Sequence, residues 1–201
     1  SRKNFTEAVV QLTRDIFIPI SLGGGIRTLE DAKKMFDIGA DKVVVNSSCF
    51  QNPDLLKEIS QVYGSQSLIC SLDVLLTQDG IYSIQVDSGV KTIGSLDSVD
   101  FRYVSQIAGE IMIHSIDRDG TGEGYANEIA EILSTKFLTN QIIFSGGAGK
   151  PSHFNTLFKA YPWISAAATG NLFNFLGTGL KDARMSLISD GIDLPDFETW
   201  E

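Results

Sequence analysis

Residues Pro19–Asn46 read PISLGGGIRTLEDAKKMFDIGADKVVVN, and this stretch decides the fold. An apolar run over Ile16–Leu22 ends in three consecutive glycines, a segment of helical period follows, and a β-branched run over Lys42–Asn46 closes the unit. Thr28 stands as the helix N-cap with Asp31 in the first turn, and Gly39 marks the helix end. Strand, helix and strand joined so tightly form a βαβ unit, whose two strands lie parallel in one sheet.

The same rhythm continues in the rest of the chain. Strands are expected at Ser67–Val74, Glu110–Ile116, Gln141–Ser145 and Ile164–Thr169. Asn52 as N-cap, Pro53 at the first helical position and Gly64 at the close frame the helix NPDLLKEISQVYG. Further helices are expected at Ser98–Ile107, Asn127–Lys136, Ser152–Ala160 and Leu180–Ser189. The rhythm breaks once, where TQDGIYSIQVDSGVKT predicts a hairpin inserted within residues 76–97, on the side where strands end. SLGGGI (Ser21–Ile26) returns as FSGGAG (Phe144–Gly149), and ADKVVVNSSCF (Ala40–Phe50) returns as ISAAATGNLF (Ile164–Phe173), offset by about 124 residues. Residues 1–201 therefore read as one α/β barrel domain of two similar halves.

The chain has 201 residues, 43% hydrophobic and 20% charged, which is enough to bury one large core. A net charge of −9 argues against a general hold on nucleic acid or an anionic membrane. Two cysteines, Cys49 and Cys70, are too few for a disulfide framework. With no run long enough to span a bilayer and no signal-peptide pattern, the expectation is a reduced, cytoplasmic protein. The chain opens on Ser1, not Met.

Gly23-Gly24-Gly25 follows a strand and precedes a helix, so free backbone N–H groups and a helix dipole face one point, as an anion requires. Asn46-Ser47-Ser48 adds side-chain donors, and Gly146-Gly147 with Gly170-Asn171 forms the matching pair. Two such sets suit a ligand with a phosphate at each end, or two ligands; tight turns alone are the competing account. Asp73 lies at the end of an apolar strand, where its pKa is raised and it can serve as general acid or base, or it simply caps the loop. SIDRDGTGEGY (Ser115–Tyr125) offers Asp119 and Gly120 for substrate contact, with an internal Asp–Arg pair as the alternative for Asp117 and Arg118. His114 sits at a strand end within reach of the same site, although strand-end histidines are commonly satisfied core groups. His153 is read as exposed, and neither histidine completes a metal set. Lys42 and Glu110 stand at strand starts, as solvated charges or as a ring closing the barrel bottom.

These residues, and the longer runs PISLGGGIRTLEDAKKMFDIGADKVVVNSSCFQNPDLLKEISQVYGSQSLICSLDV, AGEIMIHSIDRDGTGEGYANE and IIFSGGAGKPSHF, closely resemble the cyclase subunit of imidazole glycerol phosphate synthase over nearly the whole chain. The resemblance implies a (β/α)₈ barrel that takes ammonia from a glutaminase subunit in a heterodimer. It also implies a bis-phosphorylated ribulosyl aminoimidazole carboxamide as substrate, with imidazole glycerol phosphate and an aminoimidazole ribotide as products of a lyase reaction. No metal or organic cofactor is implied. Carried over by residue, Asp73 matches one of two acid–base aspartates. Gly24, Gly25, Asn46 and Ser47 match the first phosphate site, and Gly146, Gly147, Gly170 and Asn171 fall on the second. His114, Asp119 and Gly120 fall among the substrate contacts, Lys42 and Glu110 match the charged ammonia gate at the barrel bottom, and Asp41 and Gln66 fall on the glutaminase-docking face.

Departures accompany the match. Six strands are counted where a barrel closes with eight in about 250 residues, so two βα units, the second aspartate, its partner lysine and other gate charges are expected to lie outside this chain. Leu75 and Leu76 replace basic residues, His114 a threonine, Ala126 an aspartate, and Gly170-Asn171 an Ala-Ser pair. The segment LGTGLKDARMSLISDGIDLP resembles a paralogous branch tied to surface-polysaccharide amidation, which stays an alternative beside a barrel that only activates a glutaminase.

Overall fold

A computed structural model describes residues 2–15, 18–136, 138–170 and 179–194. In chain order the elements are α1 (Arg2–Asp15), β1 (Ser21–Gly23), α2 (Leu29–Asp37), β2 (Lys42–Val45), α3 (Ser47–Gln51), α4 (Pro53–Tyr63) and β3 (Leu68–Leu76). They continue with β4 (Tyr82–Val86), β5 (Lys91–Ser95), α5 (Phe101–Ile107), β6 (Glu110–Ser115), α6 (Asn127–Ser134), β7 (Gln141–Ser145), α7 (Pro151–Ala160), β8 (Ala166–Ala168) and α8 (Gly179–Ser189).

Six strands pair in parallel in the order β1-β2-β3-β6-β7-β8, with helices in the crossovers, so the sheet is a curled half-barrel. Among the described residues β1 and β8 pair on one side only. The antiparallel β4–β5 hairpin adds to the upper end of β3, with Asp73 opposite Gln85 and Leu76 opposite Tyr82. It takes the edge of β3 that β2 leaves at Cys70, which is why β3 runs past its parallel neighbours.

Side chains alternate between the two faces. On β3, Leu68, Cys70, Leu72 and Val74 join the buried core beneath the helices, together with Val43 and Val45 of β2, Ile111 and Ile113 of β6, and Ile142 and Phe144 of β7. The helices supply Ala32, Leu55, Leu56, Ile59, Val104, Ile129, Leu133 and Leu157 to the same core. The other set, including Ser71, Asp73, Met112, His114, Ile143 and Ser145, lines the concave face.

Several sequence expectations are corrected. Among the described residues of the run Ile16–Leu22, only Ser21 and Leu22 enter β1, which ends at Gly23, because Pro19 has no N–H to give a ladder and Ile18 is exposed. Residues 47–51 form a short helix that periodicity did not reveal. Asn52 occupies the N-cap position of α4 without a side-chain cap bond. Thr28 does cap α2, in a full capping box with Asp31. Trp163, whose size suits core or tail packing, is exposed and stands edge-on to Tyr161. Trp200 lies outside the described residues.

Cys49 and Cys70 meet inside the core, with Cys70 Sγ donating to Cys49 Sγ at 2.7 Å and Cys49 Sγ donating to the Val45 carbonyl at 2.9 Å. Burial pushes the Cys49 thiol well above its usual range. Both thiols should therefore resist a soluble thiol reagent in the folded chain and react on unfolding. Leu72 is fully buried between β3 and the helices, and Leu72→Ala should lower stability by about 2–5 kcal/mol in urea unfolding.

Candidate anion-binding and acid–base site

At the strand ends that face away from Lys42 and Glu110, a cavity of about 360 Å³ opens between the glycine loop after β1, the end of β2, the start of α3, β3 and the hairpin tip. Gly24, Gly25, Asn46, Ser47 and Asp73 all line it. Gly24 and Gly25 have φ of 103° and 68°, which turns the loop back on itself as only glycine does readily. A Cβ on Gly24 would meet nothing within 4 Å, so this loop faces open space instead of packed protein.

The donors are held in place. Asn46 Nδ2 donates to the Ser71 carbonyl at 3.2 Å, Ser47 Oγ donates to Asn46 Oδ1 at 3.2 Å, and Ser48 Oγ donates to the Ile26 carbonyl at 2.7 Å. These bonds tie the end of β2 to β3 and to the glycine loop. Asp73 is half-buried, and Ser71 Oγ donates to its Oδ1 at 3.5 Å. Loss of solvent raises the Asp73 pKa, against smaller opposing pulls from His114, Ser71 and Asn46.

Sequence reasoning passed over four contributors. Arg27 carries the cationic side chain among the described residues lining the cavity. Asp87 and Ser88, at the hairpin tip, also line it, with φ of 54° and 61°, rare values for residues other than glycine. Asp87 N–H donates to Ser47 Oγ at 2.9 Å and Gln51 Nε2 donates to Asp87 Oδ2 at 3.1 Å, so the hairpin is latched to α3. The DSG spelling marked a turn, but nothing in it told that the turn reaches α3.

The second glycine pair sits differently. Gly146 and Gly147 also have φ near 100°, but a Cβ on Gly146 would overlap the Ser115 carbonyl and one on Gly147 the Gly124 carbonyl. Close packing on the loop after β6 therefore demands glycine there, and the Gly124 N–H to Gly147 carbonyl bond of 2.8 Å seals the contact. Gly170, two residues beyond the end of β8, has open space around its Cβ position. Asn171 lies outside the described residues. In the β6 loop, Ser115 Oγ donates to Asp117 Oδ1 at 2.8 Å, Arg118 pairs with Glu123 at 3.7 Å instead of an aspartate, and Asp119 N–H bonds the Ser115 carbonyl at 3.1 Å; Gly120 has φ of 79°. His153 is not exposed as expected: Nδ1 accepts from Gly149 N–H at 3.2 Å, and burial with Lys150 lowers its pKa.

At the opposite end of the strands, Lys42 of β2 and Glu110 of β6 form an ion pair across β3. Their side chains are 29% and 13% exposed, so they are not freely solvated strand-start charges. Asp41 accepts from Ile20 N–H at 2.7 Å, and Gln66 Nε2 donates to the Tyr63 carbonyl at 3.2 Å on the same end. A larger cavity of about 590 Å³, lined by Phe5, Met35 and Ile38 between α1 and α2, shares only the glycine loop with the site. No group of three His, Cys, Asp or Glu side chains able to hold a metal converges among the described residues, and no described helix is long and apolar enough to cross a membrane.

A glycine-rich loop and a desolvated carboxylate share one cavity at the strand ends of a parallel α/β half-barrel, the end at which enzymes of the barrel class carry their sites. The chain belongs to the histidine biosynthesis protein family, which it matches over residues 1–177. It is 34% identical over 196 residues to the imidazole glycerol phosphate synthase subunit HisF of Leuconostoc mesenteroides, covering 96% of this chain and 76% of that protein. The subunit of the same name from Alkaliphilus metalliredigens is 38% identical over 183 residues, covering 90% and 71%. That of Chlorobium limicola is 37% identical over 194 residues, covering 96% and 76%.

The two glycine loops should respond differently to one methyl group. Gly24→Ala should cost about 1–2 kcal/mol of stability from its φ alone and weaken inorganic phosphate binding in calorimetry. Gly147→Ala should cost about 3 kcal/mol or more, because a backbone clash adds to the strain.

Proposed function

We propose that the chain works as the cyclase subunit of imidazole glycerol phosphate synthase, a lyase of histidine biosynthesis. With ammonia from a glutaminase subunit it converts a bis-phosphorylated ribulosyl aminoimidazole carboxamide to imidazole glycerol phosphate and aminoimidazole carboxamide ribotide. The observation that carries this reading is the convergence of Asp73 and the Gly24–Asn46–Ser47 cradle on one cavity, in a chain whose relatives bear that subunit's name.

In this reading one phosphate of the substrate sits on the Gly24 and Gly25 amides with Asn46 and Ser47, under the dipole of α2. The other end reaches across the concave face toward Gly170, whose Cβ side is open, with Asp119 and Gly120 alongside. Fixing both ends of a long substrate places its middle over the strand ends, beside Asp73. Forming a bond to ammonia removes a proton from the incoming nitrogen, and expelling the ribotide returns one to the leaving nitrogen. A carboxyl with a raised pKa serves such transfers near neutrality.

Lys42 and Glu110 lie at the far end of the same face, where ammonia would enter, and Asp41 and Gln66 would meet the glutaminase there. The six parallel strands would then be six of the eight in a (β/α)₈ barrel, with β1 and β8 meeting the other two units. Turnover of the ribulosyl substrate with ammonium salt is the deciding assay, and its absence in an assembled barrel would end this reading.

Asp73→Asn should lower ammonium-dependent kcat by about 100-fold or more with little change in KM. Because Asp73 must be ionised to accept a proton, and burial raises its pKa, activity should fall with decreasing pH at a midpoint above the ordinary aspartate value. Glu110→Gln should break the ion pair with Lys42 and reduce glutamine-dependent turnover more than ammonium-dependent turnover.

A further inference from the structure

Three inward-facing polar side chains stand at one level on three adjacent strands. The register pairs Asp73 of β3 with His114 of β6, and His114 with Ser145 of β7. Parallel neighbours of this kind lie about 4.8 Å apart. His114 Nδ1 is 3.2 Å from Ser145 Oγ, so the ring is held from the β7 side while Asp73 flanks it from the β3 side. All three are less than fully buried, which leaves them open to the concave face.

We propose that His114 and Asp73 form one acid–base pair, in which Ser145 sets the ring orientation and tautomer of His114. The pairing itself rests on strand register, and its use in turnover rests on the cyclase reading above. A carboxylate next to an imidazole favours the imidazolium, and an imidazolium next to a carboxyl favours the carboxylate. Such a pair stores one proton that can leave from the histidine while the aspartate stands ready to accept another. In the proposed reaction Asp73 accepts the proton from the incoming nitrogen and His114 gives its proton to the leaving nitrogen, so the pair ends with its proton count unchanged.

Few other groups compete for the ring. Met112 faces the same way one step down β6, and Ala168 follows Ser145 in the register of β8. The charged groups of the next loop have partners elsewhere, Asp117 accepting from Ser115 Oγ and Arg118 pairing with Glu123. Asp119 is anchored by its backbone to Ser115.

The chain contains two histidines, so its imidazole resonances can be assigned with His114→Gln alone. In the full chain without substrate, Asp73→Asn should move the ring nitrogen resonances of His114 and leave those of His153 in place. Ser145→Ala should shift the ring nitrogen resonances toward a mixture of tautomers. Unmoved His114 ring resonances in Asp73→Asn overturn the pair, whatever the substrate proves to be. In turnover, His114→Gln should reduce kcat by about 100-fold with KM within about threefold, and imidazole should restore part of the rate to His114→Ala. Full kcat in His114→Gln, or loss in KM alone, overturns the role in turnover. Absence of any turnover by the assembled wild-type barrel counts against the cyclase reading, and the resonance measurement still decides the pairing.

Discussion

In a parallel strand the side-chain period is two, and helices crossing over one face claim every second residue. Here Leu68, Cys70, Leu72 and Val74 are drawn into the helix-side core, which obliges Ile69, Ser71 and Asp73 to turn the other way. Register then carries the choice from strand to strand, so His114 and Ser145 join Asp73 at one level, and Lys42 and Glu110 face each other lower down. A slip of one residue would move every one of these groups into the apolar core. The site thus depends on the same burial that holds the sheet together.

Two glycine loops with similar backbone angles serve different physical ends. At Gly24 the glycine permits a turn whose outer side is empty, and a ligand can approach the backbone. At Gly146 and Gly147 it permits two protein loops to touch, and the space is filled by the chain itself. Internal sequence symmetry between the loops therefore hides an asymmetry of packing. The hairpin deepens it, since Asp87 and Ser88 wall the first loop's cavity through the bond to Ser47.

Much was legible in the residues. The capping box at Thr28 and Asp31, Pro53 at the start of α4 and the β-branched runs at Lys42–Val45 and Gln141–Ser145 announce their elements, because these are local effects. Asp73, Gly24, Gly25, Asn46 and Ser47 were singled out by position at strand ends, and they share a cavity. The short strand β1 was overextended, since the apolar run gives no sign of where pairing begins. Helix α3 was missed because five residues are too few for a period to register.

By itself, the sequence determined the alternation of strands and helices, the glycine turns and the family, for each resides in neighbours along the chain. Only the tertiary structure decided which glycine loop stays open, that Lys42 finds Glu110 across a strand, and that Asp73, His114 and Ser145 align. Those outcomes depend on register and on packing between segments far apart in sequence, which no local pattern encodes.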